Sequence, residues 1–230
     1  MPELFIANKN YSSWSLRPWL LMRQLRIPFT ERLVPFGGKA AADAFRAFSP
    51  TGKVPCLVDG DAAVWDSLAI VEYLAESVPQ VWPSDRLARA WARSAAAEMH
   101  SGFQALRNTC TMNCGLRIRL ESHSPQLACE IARLDELWTQ GLARFGGPFL
   151  AGASFTAVDA YFAPVAFRVQ TYDLPLSPGA RGYAERLLAL PPMREWYEAA
   201  LRETWRDAEH EEEAQAAGAW IEDYRATAAQ

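Results

Sequence analysis

A small mixed α/β unit of order βαβαββα, followed by an all-helical half, is the fold class this 230-residue sequence predicts. Three observations carry the expectation. Over residues 1–79, short apolar runs alternate with helical spacings, the pattern of a sheet covered by helices. The stretch SVPQVWPSD, with Pro79 and Pro83, then interrupts the chain. From Arg86 onward one helical periodicity follows another, without a strand signal of comparable strength. The chain therefore divides into residues 1–79 and 86–230.

Each element has its own warrant. ELFIA near the N-terminus reads as a strand, and Leu16, Trp19 and Leu20 give helical spacing through Leu25. Ile27-Pro28 breaks that helix, and FTERLVPF alternates like a second strand. KAAADAFRAF is alanine-rich and helical, and SPTGK is turn chemistry. PCLVDGDAAVWD reads as two strands around Asp59-Gly60-Asp61, a hairpin signal. SLAIVEYLAESV is an amphipathic helix that ends before Pro79. Beyond the break, RLARAWARSAAAEMHSGFQALRNTC reads as one long helix, and Leu127, Ile131, Leu134, Leu137, Trp138 and Leu142 mark another. Residues 156–171, 182–190 and 192–206 continue the pattern. The acidic run AEHEEEAQAA reads as a solvated helix face or a loose tail.

Composition narrows the function classes. Half the residues are hydrophobic, 22% are charged and the net charge is −4, so no broad phosphate-binding surface is expected. No apolar run approaches the roughly 20 residues of a membrane span. MPELFIANKN lacks the layout of a signal peptide, so the expected location is the cytoplasm. Four cysteines (Cys56, Cys110, Cys114, Cys129) are too few for a disulfide scaffold, and their spacings with the histidines fit no standard zinc pattern. No metal is expected.

Three short motifs carry chemistry. In NYSSWSLRPW, Pro18 is tolerated only near a helix start, which points to Ser15 as the N-cap. Ser12 and Ser13 then fall in the loop before the helix, where hydroxyls, free N–H groups and the helix dipole favour an anion. In GKVPCL, the X-Pro bond at the start of a strand is either an ordinary trans proline or a cis peptide, and the cis form would turn the Val54 backbone outward toward an extended ligand. In WDSLAI, Asp66 or Ser67 caps a helix whose N–H groups suit a carboxylate, while the Asp66 carboxylate suits an ammonium. Both charges together describe an amino-acid head group. A fourth motif, Thr156 with Asp159, is a capping box, a folding device.

Taken together, the order of these motifs resembles the cytosolic glutathione transferase superfamily over nearly the whole chain. The resemblance implies a thioredoxin-like first domain that binds glutathione and a helical second domain that supplies the second-substrate site. SSWSLRPW is similar to the serine motif of zeta-type enzymes, SSCSWRVR, with Trp14 where that motif has cysteine. Carried over, Ser12 is the leading contact of the glutathione thiolate and Ser13 the second. Val54 and Pro55 would pair with the cysteinyl backbone, and Asp66 and Ser67 would hold the γ-glutamyl head. Lys39 and Lys53 are candidates for the glycine carboxylate. Trp14, His100, Phe103, Gln104 and Arg107, with Met99, would line the second-substrate cleft, and Arg107 or Arg17 would attract an acidic substrate; the alternative is that Met99 and Phe103 are core and the arginines lie on the surface. The implied partners are glutathione as cosubstrate, an electrophilic small molecule and a second copy of the chain. The implied reaction is thiolate attack on the electrophile. Cis-trans isomerisation of the maleylacetoacetate type and a non-catalytic regulatory protein of the same fold are the alternatives. Disulfide reduction would need a cysteine at the first helix, and none occurs before Cys56.

Overall fold

The computed structural model describes residues 1–122 and 124–225, and it leaves the side chains of residues 38–40 undescribed. Its first half runs β1 (Glu3–Ile6), α1 (Ser13–Gln24), β2 (Thr30–Leu33), α2 (Gly38–Arg46), β3 (Cys56–Asp59), β4 (Ala62–Trp65) and α3 (Ser67–Ala75). This is the predicted order. The four strands form one sheet in the order β2-β1-β3-β4. β1 and β2 are parallel, with Glu3 opposite Thr30, while β3 is antiparallel to both its neighbours. A two-residue turn at Gly60 (φ +58°) closes the β3–β4 hairpin, a conformation glycine adopts without steric cost.

A 3₁₀ turn at Pro79–Val81 leads into α4 (Arg86–Ser101), α5 (Gln104–Thr109), β5 (Leu116–Leu120), α6 (Pro125–Phe145), α7 (Ala157–Tyr172), α8 (Pro178–Leu188), α9 (Pro191–Arg202), α10 (Ala208–Ala217) and β6 (Gly218–Asp223). None of these helices is long and apolar enough to cross a membrane. α7 is buried on every side and packs against α1, α4 and α8, as an all-round apolar helix must. Its start is fixed by Asp159, whose Oδ2 accepts from the Thr156 N–H at 2.9 Å. Oδ1 accepts from the Leu150 N–H at 3.1 Å and the Tyr183 hydroxyl at 2.8 Å.

Two expectations are corrected and one open alternative is decided. The second half is mostly helical rather than all-helical, because β5 pairs antiparallel with β6. LRIRL alternates buried Leu116 and Ile118 with more exposed Arg117 and Arg119, a period-2 signal in five residues. The long helix from Arg86 breaks after Ser101. A Cβ on Gly102 would sit 2.8 Å from the Glu98 carbonyl oxygen, and Phe103 takes φ +56°. The acidic run takes the first of its two readings, a mostly solvent-facing helix rather than a loose tail. It forms α10, and Glu211 accepts from the Tyr11 hydroxyl at 2.5 Å and pairs with Arg225 at 2.9 Å.

Candidate functional site

The loop between β1 and α1 is built by local turns and distant braces. The Asn8 carbonyl accepts from the Ser12 and Tyr11 N–H groups, at 2.8 and 3.2 Å. The first helical bond runs from Leu16 N–H to the Ser12 carbonyl, so Ser12 is the N-cap and α1 begins at Ser13. Ser15 is therefore not the cap. Its hydroxyl oxygen accepts from the Ala7 N–H at 3.3 Å and from the Ser12 hydroxyl at 2.7 Å, tying the helix to the end of β1. Pro18 sits sixth in the helix, where it removes the bond to the Trp14 carbonyl. From far along the chain, Glu203 accepts from the Lys9 and Asn10 N–H groups at 2.6 and 3.2 Å, and Trp196 Nε1 donates to the Lys9 carbonyl at 2.8 Å.

These braces hold Ser12 and Ser13 in the wall of a cavity of about 530 Å³ between the two halves. Both are nearly buried. Ser12 gives its hydroxyl hydrogen to Ser15, whereas the Ser13 hydroxyl has no hydrogen-bond partner among the described residues. Trp14, Lys53, Val54, Gln104 and Arg107 complete much of the wall. A second cavity of about 480 Å³ shares Trp14, Lys53 and Val54 and adds Pro55, Asp66 and Ser67. The Val54-Pro55 bond is cis, and Val54 lies ahead of the first residue of β3, outside the ladder.

Asp66 takes φ +74°, a region costly for a residue with a Cβ, and its Oδ1 accepts from the Leu68 N–H at 2.7 Å as the N-cap of α3. The other carboxylate oxygen lies 3.7 Å from His100 Nε2. Burial lowers the His100 pKa, with Asp66 opposing. Ser67 is buried, with its hydroxyl 3.5 Å from the Tyr161 hydroxyl.

The remaining predicted residues divide. His100 packs edge-on against Trp14, at 5.2 Å between ring centroids, and does not line the larger cavity. Phe103 and Met99 are core, because the break at Gly102 turns Phe103 inward. Lys39 belongs to α2, but its side chain lies outside the described residues.

Several wall residues were missed. Arg168 of α7 is buried, lines the cavity and donates from Nε to the Cys110 carbonyl at 2.7 Å. A lone arginine in the apolar run AVDAYFAPVAFRVQTY was the signal for it. Tyr11, Phe36, Phe45, His210 and Glu213 come together only through tertiary packing. Arg17 is fully buried between Trp14 (4.0 Å to the ring centroid) and Tyr161 (4.8 Å), with Nε and one Nη unbonded. Burial lowers Arg17 to about 9 and Arg168 to about 10, and it lowers Arg107 as well. None of the three arginines has a salt-bridge partner among the described residues, and each of Arg17 and Arg168 is pushed further down by a neighbouring arginine.

Comparison with known proteins places this architecture. The family model "Glutathione S-transferase, N-terminal domain" matches residues 11–77, and "Glutathione S-transferase, C-terminal domain" matches residues 123–199. Glutathione S-transferase theta-1 of Homo sapiens is 31% identical over 172 residues, spanning 67% of this chain and 70% of that protein. The chain belongs to the glutathione S-transferase family. A probable maleylacetoacetate isomerase of Caenorhabditis elegans is 27% identical over 184 residues, 77% of this chain and 83% of that protein. The glutathione S-transferase fold is also that of a holo maleyl pyruvate isomerase, a bacterial zeta-class protein, with TM-score 0.67 and 21% identity. The alignment covers 86% of this chain and 97% of that one. A Burkholderia glutathione transferase homologue with bound glutathione gives TM-score 0.65 and 22% identity, covering 86% and 97%. Within this glutathione S-transferase, the larger cavity lies where the first half meets the helical half, and the smaller one adjoins it on first-half residues.

Proposed function

We propose that this chain binds glutathione in the smaller cavity and presents its thiolate to an electrophilic second substrate in the larger one. The observation that carries the reading is the Ser13 hydroxyl. Among the described residues it has no hydrogen-bond partner, and it stands at the first residue of α1, on the cavity wall shared with Lys53 and Val54. A free thiol of pKa about 8.5 is mostly protonated at neutral pH. A hydroxyl donating to the charged form, at the positive end of a helix, lowers that value. Ser13 is the assigned donor, and Ser12 supports it through its bond to Ser15.

The other roles follow from chemistry. Val54 offers its backbone to the cysteinyl unit beside Pro55. Asp66 faces the γ-glutamyl ammonium and Ser67 its carboxylate, and Lys53, with Lys39, meets the glycine carboxylate. Trp14, Gln104 and Arg107 contact the second substrate. The chain is read as two domains, 1–79 and 86–230, acting as a cytoplasmic homodimer.

One observation favours the isomerase alternative. Among the described residues, Arg17, Arg107 and Arg168 form no salt bridge, and Arg107 and Arg168 line the second-substrate side, which suits an acidic substrate.

Titration calorimetry with glutathione, followed by a panel of neutral and carboxylate-bearing electrophiles, tests the reading. Saturable binding with turnover supports it. No binding at about millimolar glutathione, an affinity of only ~4 kcal/mol, would favour the regulatory alternative. Asp66→Asn keeps an N-cap but loses the charge, so folding should hold while glutathione affinity drops about tenfold or more. Unchanged affinity would remove Asp66 from the ammonium site.

A further inference from the structure

Asp207 and His210 stand more than 190 residues from the serine loop in sequence, yet His210 forms part of the wall that Ser12 and Ser13 share. Asp207 caps α10, its Oδ1 accepting from the His210 backbone N–H at 3.3 Å. The same oxygen lies 2.7 Å from His210 Nδ1. An ionised carboxylate only accepts, so a neutral ring facing it would carry its hydrogen on Nδ1 and keep its lone pair on Nε2. Nε2 bonds to no described residue. The ring lies between Tyr11 and Phe36, 5.0 Å from each centroid and inclined by 30° and 26°. Two packed faces and one anchored nitrogen leave the imidazole little freedom.

We propose that Asp207 and His210 form a general acid–base pair for the reaction in this cavity, with His210 Nε2 as the proton acceptor. The proposal rests on the glutathione reading and extends it. Ser13 can donate to a thiolate but cannot take up the thiol proton, so the two tasks fall to different residues. In the step, the S–H bond of glutathione breaks, its electron pair stays on sulfur, and an N–H bond forms at His210 Nε2. The Asp207 carboxylate faces the resulting imidazolium across 2.7 Å. Once sulfur has bonded to the electrophile, the proton passes to the departing group, or to carbon in an addition. His210 is then neutral again, and no oxidant or reductant is consumed.

His210→Phe is the deciding variant, because it keeps an aromatic slice between Tyr11 and Phe36 and removes both nitrogens. Its kcat should fall about a hundredfold, within the range of general acid–base catalysis, while the Kd of glutathione moves less than about threefold. Asp207→Asn, which keeps the helix cap, should lose about tenfold in kcat. In His210→Ala, added imidazole should restore at least about tenfold of the lost rate. The proposal is overturned if His210→Phe keeps kcat within about threefold of the parent, or if imidazole fails to rescue a folded His210→Ala. The parent chain is titrated with glutathione alongside. Absence of binding there sinks the glutathione reading and this proposal with it, whereas binding and turnover with an indifferent His210→Phe sink this proposal alone.

Discussion

Ser13→Ala is expected to lower kcat about a hundredfold while glutathione still binds, the loss typical of removing one preorganised donor to a developing or resident anion. That loss corresponds to about 2.7 kcal/mol of transition-state stabilisation. The bound thiol should titrate at a higher pH in the variant, read as a delayed rise of thiolate absorbance in a pH series. Ser12→Ala removes the donor to Ser15 and should cost less, because it loosens the loop without deleting the free hydroxyl. If Ser12→Ala proves the more damaging of the two, the thiolate contact belongs to Ser12, as the sequence alone favoured.

A change far from the cavity should have the largest effect on folding. Asp159→Ala leaves the Thr156 N–H, the Leu150 N–H and the Tyr183 hydroxyl without their acceptor. At about 1 kcal/mol or more for each buried orphan, the cost is about 3 kcal/mol, or roughly 6–10 °C in Tm for a chain of this size. Differential scanning calorimetry checks it, and a shift under about 2 °C would mean that water replaces the carboxylate.

The same group sets a pH dependence. Burial raises Asp159 from 3.8 to about 6, outweighing the hydrogen bonds from the Thr156, Leu150 and Asp159 backbones and from Tyr183 that favour its charge. The folded state therefore binds this proton more readily than the unfolded one. Stability from this group is present below about pH 4 and lost as pH rises through 6. Over that window, denaturant midpoints of the parent chain should decline relative to those of Asp159→Asn. A constant difference between the two would remove the assignment.

The fold of the first half was legible because each element there carries a local signal, from the Ile27-Pro28 break to the Asp59-Gly60-Asp61 turn. The Val54-Pro55 pair and the Asp66 cap were legible for the same reason, since turn and cap chemistry is decided within a few residues. Ser15 misled because a serine two residues inside a helix satisfies the same local rule as a cap, and only the Ala7 N–H beside it shows that it serves as a brace. Pro18 misled with it, since a proline deep in α1 is tolerated once α7 packs alongside. β5 was hidden because its partner β6 lies about a hundred residues later. His210 and Glu213 joined the cavity wall by the same long return of the chain, which no periodicity records.

That return has a bearing on the order in which the protein is made. The backbone of Lys9 and Asn10 is held by Glu203, the Tyr11 hydroxyl by Glu211 and Arg225, and Asn10 by Asn113 and Gly115. A ribosome delivers the serine loop first and most of these anchors last. The growing chain can assemble its sheet early, but the serine loop gains its final shape only after synthesis has passed residue 225, so a stalled or clipped product would carry the serines of that loop and still lack its formed shape.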